Sequence, residues 1–243
     1  MKFFGLITAR AGSKGLPGKN TKVLNGQPLI QWTIDAAQDS QLDELILSSN
    51  CKTSIDICRR SGVTIPFTRP ETISEDSTPH IDVIDHALDW MRNSFNTPDY
   101  LVILQPTSPL RTAKHINKAI ELALDTDADE VLSVFEAGHH HPYIAKKIDS
   151  FGLSPFFNMP DHVMNAPRQT YSKAYMLNGA IYVLKVAAMK NIVKLSVPLI
   201  MTKEESIDID THLDFKMAEF IMESNDAVYR EAEQTIPSSG AQS

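Results

Sequence analysis

Short apolar runs and helical stripes of apolar residues alternate along the first 135 residues of the chain. A short apolar run between turn signals is typical of a buried strand, whereas apolar residues that recur every three or four positions, such as Ile84, Leu88 and Met91, are typical of an amphipathic helix. On these criteria, strands are predicted at residues 3–8, 45–49, 63–67, 100–104 and 131–135, and helices at residues 28–37, 53–61, 79–95 and 112–124. Strands that alternate with helices predict an α/β fold with a doubly wound, mostly parallel sheet.

This pattern breaks at residues 136–175, which carry Gly, Pro, His and aromatic residues with little periodicity. An irregular stretch of this size inside a domain is usually functional or forms an interface. Further strands are predicted at residues 180–184 and 197–201, and a last helix at 210–222. We therefore expect one domain over residues 1–226, followed by a polar tail at 227–243 that is frayed or disordered.

Composition narrows the class of protein. The 243 residues carry a formal net charge of -7, which argues against broad binding to nucleic acid, because that requires a basic surface. The two cysteines, Cys51 and Cys58, lack the spacing of a zinc site and are expected to be reduced thiols. We find neither a signal-peptide pattern nor an apolar stretch long enough to span a membrane, so a cytoplasmic protein without a membrane partner is expected.

A loop rich in glycine and basic residues follows the first predicted strand, at residues 8–20. Its glycines allow tight turns that present backbone N–H groups to an anion, and Arg10, Lys14 and Lys19 add positive charge. The spacing fits neither the Walker A motif nor the dinucleotide G-x-G-x-x-G motif. The loop therefore predicts a triphosphate site, with a basic surface turn as the alternative. In a sheet of this kind ligands bind at the carboxyl ends of the strands, so the loops after Thr8, Leu104 and Phe135 are expected to face one cleft.

Residues 9–20, with the sequence Ala-Arg-Ala-Gly-Ser-Lys-Gly-Leu-Pro-Gly-Lys-Asn, resemble the signature loop of the CMP-sialic acid synthetases, or acylneuraminate cytidylyltransferases. Further segments agree in the same order, at residues 69–70, 104–111, 167–169 with 178–182, and 206–210. The resemblance implies transfer of CMP from CTP to a nine-carbon 2-keto sugar acid with Mg²⁺ (or Mn²⁺). It also implies a Rossmann-like fold and a homodimer whose inserted dimerisation region lies at about 136–176.

The resemblance also assigns roles to particular residues. Asp208 and Asp210 are predicted to bind the metal, since side chains at i and i+2 of a strand share a face and paired carboxylates suit Mg²⁺; the alternative is that Asp210 caps the last helix. The catalytic residues are predicted to be Arg10, Lys19, Asp208 and Asp210. The predicted CTP-binding residues are Arg10, Gly12, Ser13, Lys14, Lys19, Asn20, Arg69 and Gln105, and the predicted sugar-binding residues are Gln105, Arg168, Gln169, Asn178 and Tyr182.

Some of these sugar-binding assignments have plain structural alternatives. Tyr182 could be a core aromatic on a strand, and Arg168 a surface ion pair. The run His139-His140-His141 is expected to be a loop near the sugar site rather than a zinc site.

Three positions depart from the family pattern. Asn50 replaces a usual aspartate, Ile144 replaces a lysine of the sialic-acid-specific members, and His80 replaces a serine. The acceptor is therefore expected to be pseudaminic, legionaminic or another nonulosonic acid rather than N-acetylneuraminate. A CMP-Kdo synthetase, a non-catalytic nucleotide or sugar sensor and a P-loop kinase stay open as alternatives.

Overall fold

A central six-stranded sheet organises the protein. The computed structural model describes residues 1–93, 96–150, 152–158, 160 and 166–234. The strands are β1 (Phe3–Ala9), β2 (Val23–Leu24), β3 (Gln27–Pro28), β4 (Glu44–Ser49), β5 (Tyr100–Leu104), β6 (Glu130–Glu136), β7 (Lys146–Asp149), β8 (Gly152–Pro155), β9 (Tyr175–Lys185) and β10 (Ser196–Ile200). The helices are α1 (Leu29–Gln38), α2 (Lys52–Arg60), α3 (His80–Asn93), α4 (Ala113–Thr126) and α5 (His212–Gln234).

The strands of this sheet follow the order β10-β6-β9-β5-β1-β4. β1 pairs in parallel with β4 and β5, and β10 pairs in parallel with β6. β9 lies antiparallel between β5 and β6. The predicted α/β fold with a mostly parallel sheet is thus confirmed, with one antiparallel strand at its centre.

Helices cover both faces of the sheet, because successive strand residues point to opposite faces. On one face, Ile7 and Val102 pack in a buried cluster with residues of α1, α2 and α4. On the other face, Leu6 and Leu101 pack with Leu88 and other residues of α3. This arrangement confirms the doubly wound architecture and fixes the carboxyl ends of β1 and β5 side by side.

The prediction of a strand at residues 63–67 is wrong. Thr64 makes a single parallel bridge to Ile46, with its N–H donating to Leu45 O at 3.0 Å. Pro66 has no N–H, so the ladder cannot continue past it. The segment instead leads to Arg69, whose N–H donates to Ser49 O at 2.9 Å.

The stretch at 136–175 is more regular than its sequence predicts. β7 and β8 form an antiparallel hairpin with a register from Lys146–Pro155 to Asp149–Gly152. β9 starts at Tyr175, earlier than the predicted strand at 180–184, because its first residues extend the pairing with β6. A second small hairpin, β2–β3, was missed although it turns on Asn25-Gly26, both with positive φ, which is a known hairpin signal.

The last helix is longer than expected. α5 runs to Gln234, so the prediction of a frayed tail from residue 227 is wrong for residues 227–234. Ala and Glu each occur twice in this stretch, and both residues favour helix. Residues 235–243 lie outside the described part of the chain. Within the described part, none of the helices combines the length and apolar character needed to cross a bilayer.

Candidate active site

A cleft of about 330 Å³ opens at the carboxyl ends of β1 and β5. The loop after Thr8 and the loop after Leu104 both contribute to it, as predicted, whereas the loop after Phe135 does not line it, because β9 intervenes in the sheet. The predicted site residues that line the cleft are Arg10, Ser13, Lys19, Asn20, Arg69 and Gln105. Gly12 and Lys14 line an adjoining depression that shares Arg10 with the cleft.

The loop at 8–20 packs tightly against a segment near the other end of the chain. A Cβ atom added to Gly15 would lie 2.4 Å from the backbone oxygen of Asp210, so only glycine fits there. Gly12 has φ of 74°, a left-handed conformation that glycine adopts without strain. The glycines therefore bring the basic loop up to the residues predicted to bind the metal.

Lys19 links the basic loop directly to the segment that contains Asp210. Its Nζ donates to Ile209 O at 2.9 Å and forms an ion pair with Asp210 at 2.8 Å, and its side chain is only 15% exposed. Asn20 is buried beside it and donates from Nδ2 to Arg10 O at 3.3 Å. A predicted phosphate ligand and a predicted metal ligand thus lie in contact.

Asp208 and Asp210 alternate with buried Ile209, so their side chains share the exposed side of an extended segment that is not a strand. Although solvent reaches Asp208, the protein atoms around it and the charge of Asp210 raise its pKa, while a hydrogen bond from the Thr107 side chain acts against this rise. Ile209 N–H donates to Thr107 O at 2.8 Å, which ties the segment to the loop after β5.

The alternative role of Asp210 as the cap of the last helix is not supported. Thr211 caps α5: its Oγ1 accepts from Asp214 N–H at 3.3 Å, and Asp214 Oδ2 accepts from Thr211 N–H at 2.7 Å. This reciprocal pair satisfies the backbone groups of the first turn. Asp210 is therefore available for another role.

The described residues hold no cluster of three or more His, Cys, Asp or Glu side chains that could bind a metal. Two solvent-facing carboxylates nevertheless suit Mg²⁺, which is commonly held by one or two carboxylates together with substrate phosphates. The raised pKa of Asp208 agrees with this, because a cation there would offset the repulsion between Asp208 and Asp210.

Two cations of the loop have an internal partner that the sequence did not suggest. Arg10 and Lys14 both form ion pairs with Asp76, the latter at 2.5 Å. The hydrogen bond from Lys14 and the charge of Arg10 hold the pKa of Asp76 below its ordinary value. No local pattern could have revealed this contact, since Asp76 precedes α3 and lies far from the loop in the chain.

Asn50 positions the loop through its amide. Its Oδ1 accepts from Ala11 N–H at 2.8 Å, and its Nδ2 donates to Glu71 at 3.0 Å. An aspartate could accept from Ala11 but would face Glu71 with a second negative charge. The departure from the family pattern at this position is thus matched to Glu71.

Arg69 and His80 form one wall of the cleft. Arg69 is 4% exposed, and burial followed by the charge of Arg10 lowers its pKa to about 10. Its Nε and one terminal nitrogen have no hydrogen-bond partner within the described part of the protein. His80 Nε2 lies 3.3 Å from Thr8 Oγ1, and burial, then the charge of Arg69, lowers its pKa. Buried donors without partners next to a cleft suit a polar ligand.

The residues predicted to bind the sugar lie at different places in the structure. Gln105 and Tyr182 both lie near Gly179, and burial, then the charge of Asp208, raises the pKa of Tyr182. Arg111, fully buried, fixes Gln105 by donating to its backbone oxygen at 3.1 Å and to Ala180 O at 2.8 Å. Gln105 therefore lines the cleft, and Tyr182 lies beside the same glycine.

The prediction that Asn178 binds sugar is not supported. Asn178 is buried, its Oδ1 accepts from Ser133 and its Nδ2 donates to Ser206 at 2.9 Å, so its amide is used inside the protein. Gln169 is exposed in a short 3-10 helix at Arg168–Thr170 and is not among the residues that line the cleft. The side chain of Arg168 lies outside the described part of the structure.

His141 belongs to an aromatic cluster rather than to a metal site. Its ring lies 4.7 Å from that of Tyr143 and 5.0 Å from that of Tyr171, and its Nε2 is 3.0 Å from Ser172 O. This cluster connects the start of the stretch between β6 and β9, residues 137–174, which we call the excursion, to the segment just before β9. Ile144 is half-buried directly beyond it.

Comparison with known proteins gives a consistent result. A sequence profile described as cytidylyltransferase matches residues 4–237. The chain is 34% identical over 237 residues to CMP-N,N'-diacetyllegionaminic acid synthase of Legionella pneumophila, covering 93% of this chain and 98% of that protein. It is 32% identical over 222 residues to N-acylneuraminate cytidylyltransferase of Streptococcus agalactiae, covering 88% of this chain and 52% of that protein. The chain thus spans about half the length of the latter relative.

Solved structures agree on the fold. CMP:2-keto-3-deoxy-manno-octonic acid synthetase complexed with CTP superposes with a TM-score of 0.67 at 16% identity, covering 93% of this chain and 100% of that chain. A 4-diphosphocytidyl-2C-methyl-D-erythritol synthase from Anaerococcus prevotii gives 0.59 at 15% identity, covering 91% and 98%.

Proposed function

The chain belongs to the cytidylyltransferase family, and from this premise we propose that it transfers CMP from CTP to the anomeric hydroxyl of a nine-carbon 2-keto sugar acid. The observation that carries the proposal is the contact of the basic loop, residues 8–20, with the acidic segment, residues 208–210. Lys19 and Asp210 make this contact. A cytidylyltransferase must hold a triphosphate and a divalent cation side by side, and this contact brings the groups suited to both to one edge of the sheet.

The loop is suited to the triphosphate of CTP. Arg10, Lys14 and Lys19 supply charge, while Ser13 and the glycine backbone supply directional donors. Arg69, with its unpartnered nitrogens, and Asn20 extend the donors along the cleft wall. Positioning and charge stabilisation account for most of the catalysis of phosphoryl-type transfers.

Asp208 and Asp210 would hold Mg²⁺ or Mn²⁺. The bound ion would neutralise phosphate oxygens and withdraw electron density from the α-phosphorus. Lys19, which touches Asp210, keeps the acidic segment oriented and is the candidate for contact with the α-phosphate region. The anomeric oxygen then forms a bond to the α-phosphorus, the bond to the β-phosphate breaks, and pyrophosphate and a proton leave.

The sugar acid would bind beyond the α-phosphate, at the side bordered by Gln105 and Tyr182. Arg168 is the candidate for the C1 carboxylate, since a guanidinium can hold a carboxylate through two hydrogen bonds. Ile144 replaces a lysine in the excursion, so a more apolar acceptor substituent is expected there. A diacetylated nonulosonic acid of the legionaminic or pseudaminic class fits this expectation, and the 34% identical relative is named for the former.

We further propose that the enzyme works in the cytoplasm as a homodimer joined through the excursion. Hairpin β7–β8 exposes Ile148 at 86% and Leu153 at 73%, and Phe156 follows it at 58%. Apolar side chains concentrated on one projecting hairpin are typical of an interface. The second candidate function is a CMP-Kdo synthetase, favoured by the 0.67 TM-score to that synthetase.

The test is a substrate panel. Purified protein receives CTP and Mg²⁺ with N-acetylneuraminate, diacetyllegionaminate, pseudaminate or Kdo, and pyrophosphate release is measured, with Asp210→Ala as the inactive control. Release with a nonulosonic acid is expected. Release with Kdo alone would replace the proposal by the second candidate, and CTP binding without turnover for any sugar would indicate a non-catalytic homologue.

A further inference from the structure

The cations of the phosphate loop are not free. Arg10 and Lys14 are both bound to the carboxylate of Asp76, one to each oxygen. Lys19 is bound to Asp210 instead. The two cations nearest the start of the loop therefore already hold an anion, and it belongs to the protein.

Asp76 lies in the connection that leads into α3, and it lines the same cleft as Arg10. It follows Ser74, whose Oγ donates to Pro70 O at 2.8 Å and whose side chain is buried. It precedes Thr78, whose N–H donates to Glu75 O at 3.2 Å, and then α3 begins at His80. The segment that carries Asp76 is thus a short connection with fixed ends, and its carboxylate lines the cleft.

We propose that Asp76 is an internal counter-anion that occupies the place of the outer phosphates, is displaced when they bind, and returns to Arg10 and Lys14 as pyrophosphate leaves. The proposal rests on the function proposed above, in which this loop binds the triphosphate. It makes Asp76 a residue that sets affinity and product release rather than one that touches the reacting atoms.

Exposure makes the exchange feasible. The side chains of Arg10 and Asp76 are 33% and 32% exposed, and that of Lys14 is 81% exposed. Ion pairs that solvent reaches are weak, so a ligand with more charge and more acceptor oxygens can replace the carboxylate. Every ligand that uses Arg10 and Lys14 must first release Asp76, which lowers its apparent affinity by one common factor.

Ligands that do not contact Arg10 and Lys14 should bind without this loss of apparent affinity. Cytidine, which lacks phosphate, should bind equally well with or without the Asp76 carboxylate. CTP, inorganic tripolyphosphate and inorganic pyrophosphate should all bind more tightly once it is neutralised. A purely structural ion pair predicts the opposite for the phosphates, because its loss would loosen the loop.

The experiment compares Asp76→Asn with Glu75→Gln by calorimetry, using tripolyphosphate, pyrophosphate and cytidine with Mg²⁺ and no sugar. Glu75 is the matched control, because it lines the same cleft and its substitution also removes one negative charge, whereas the described ion pairs of Arg10 and Lys14 go to Asp76. In Asp76→Asn, both phosphates should bind about threefold to tenfold more tightly, the range expected for loss of two exposed ion pairs, with cytidine unchanged. In Glu75→Gln, the change should stay below about twofold.

Weaker or unchanged phosphate binding in Asp76→Asn, with a thermal unfolding midpoint that shows a folded protein, would overturn the proposal, as would an equal gain in Glu75→Gln. Because these measurements need neither sugar nor turnover, they stand even if the substrate panel fails. If turnover is found, pyrophosphate should inhibit Asp76→Asn more strongly than the unmodified enzyme; weaker inhibition would also overturn the proposal.

Discussion

The nucleotide cleft and the excursion between β6 and β9 are built in different ways. In the cleft, the polar side chains stand at the ends of strands whose other residues are buried, and Lys19, Asn50 and Asp76 each have a defined partner. In the excursion, the residues of hairpin β7–β8 are exposed or half-buried, with Ile148 and Leu153 open to solvent. Packing within a single chain is therefore enough to position the residues of the cleft, whereas the excursion leaves apolar surface uncovered.

We infer from this difference that the cleft carries the nucleotide chemistry and that the excursion determines which sugar acid is accepted. A rigid scaffold suits a triphosphate and a metal, whose geometry is the same for every member of such a family. A loosely packed excursion can change sequence without disturbing the sheet, so the sugar site can vary. The predictions below test this division, starting with the cleft.

The largest effect is expected for Asp210→Ala. Turnover should fall at least about 100-fold, because a carboxylate proposed to hold the catalytic ion is lost, while the free energy of unfolding should change by less than about 1 kcal/mol, as is usual for an exposed side chain that is not the helix cap. Pyrophosphate release and urea unfolding measure the two quantities.

Thr211→Ala is the matched control for this prediction. It removes the cap of α5 and should cost about 1 kcal/mol of stability, with most of the turnover retained. If Asp210→Ala lost folding and activity in proportion, Asp210 would be structural after all.

The next effect concerns Asn50→Asp. Repulsion from Glu71 should push the new carboxylate out of place, weaken its hydrogen bond from Ala11 N–H in the loop, and raise the KM for CTP by about tenfold, the order of magnitude for loss of one to two kcal/mol of binding. A smaller change is expected in kcat. Steady-state kinetics with varied CTP measure it.

Combining Asn50→Asp with Glu71→Gln should restore the KM, since the second change removes the repulsion and leaves an amide to meet the new carboxylate. An increase in activity for Asn50→Asp alone would contradict this account and would indicate that the site lacks a negative charge.

A moderate effect is expected at the hairpin. Ile148→Ser with Leu153→Ser should shift the protein from dimer towards monomer, because two exposed apolar side chains would no longer be buried between copies. Light scattering over a range of protein concentrations measures the mass. Ile192→Ser is the control, since Ile192 is 102% exposed on a different surface segment. An unmodified protein that is monomeric, or an equal shift in the control, would contradict the proposed dimer surface.

The smallest effect is a dependence of stability on pH at Asp208. Its pKa is raised in the folded protein, so its ionised form disfavours folding. Asp208→Asn should therefore be slightly more stable at neutral pH, by less than the loss at Thr211→Ala. The gain should disappear as pH falls from the raised pKa of the folded state towards the ordinary 3.8, since both states then bind the proton. Urea unfolding across this window measures it, and a gain that grows as pH falls would contradict the assignment.

Much of the fold could be predicted because β1 and β5 are uninterrupted apolar runs and α3 and α4 carry regular stripes. The strand predicted at 63–67 does not form, since Pro66 ends the pairing after a single bridge. Hairpin β7–β8 escaped prediction for another reason: its residues are exposed or half-buried, so no alternation of buried and exposed positions marks it.

The candidate site, like the fold, could be predicted only in part from the sequence. That Arg10, Lys19 and Gln105 line one cleft could be expected, because their loops follow strands whose ends lie side by side; their roles stay predictions. Asp76 was missed because its partners are distant in the chain, and Asn178 was misassigned because a polar residue on a strand can serve the interior as well as a ligand.

The contact of Lys19 with Ile209 and Asp210 spans about 190 residues. During synthesis, the basic loop leaves the ribosome long before the acidic segment that completes it. A chain that stops anywhere between them contains the loop but lacks the two residues that Lys19 contacts. Ordering of this loop, and with it the onset of turnover, should therefore coincide with release of the last helix, so that interrupted synthesis yields fragments unable to consume CTP.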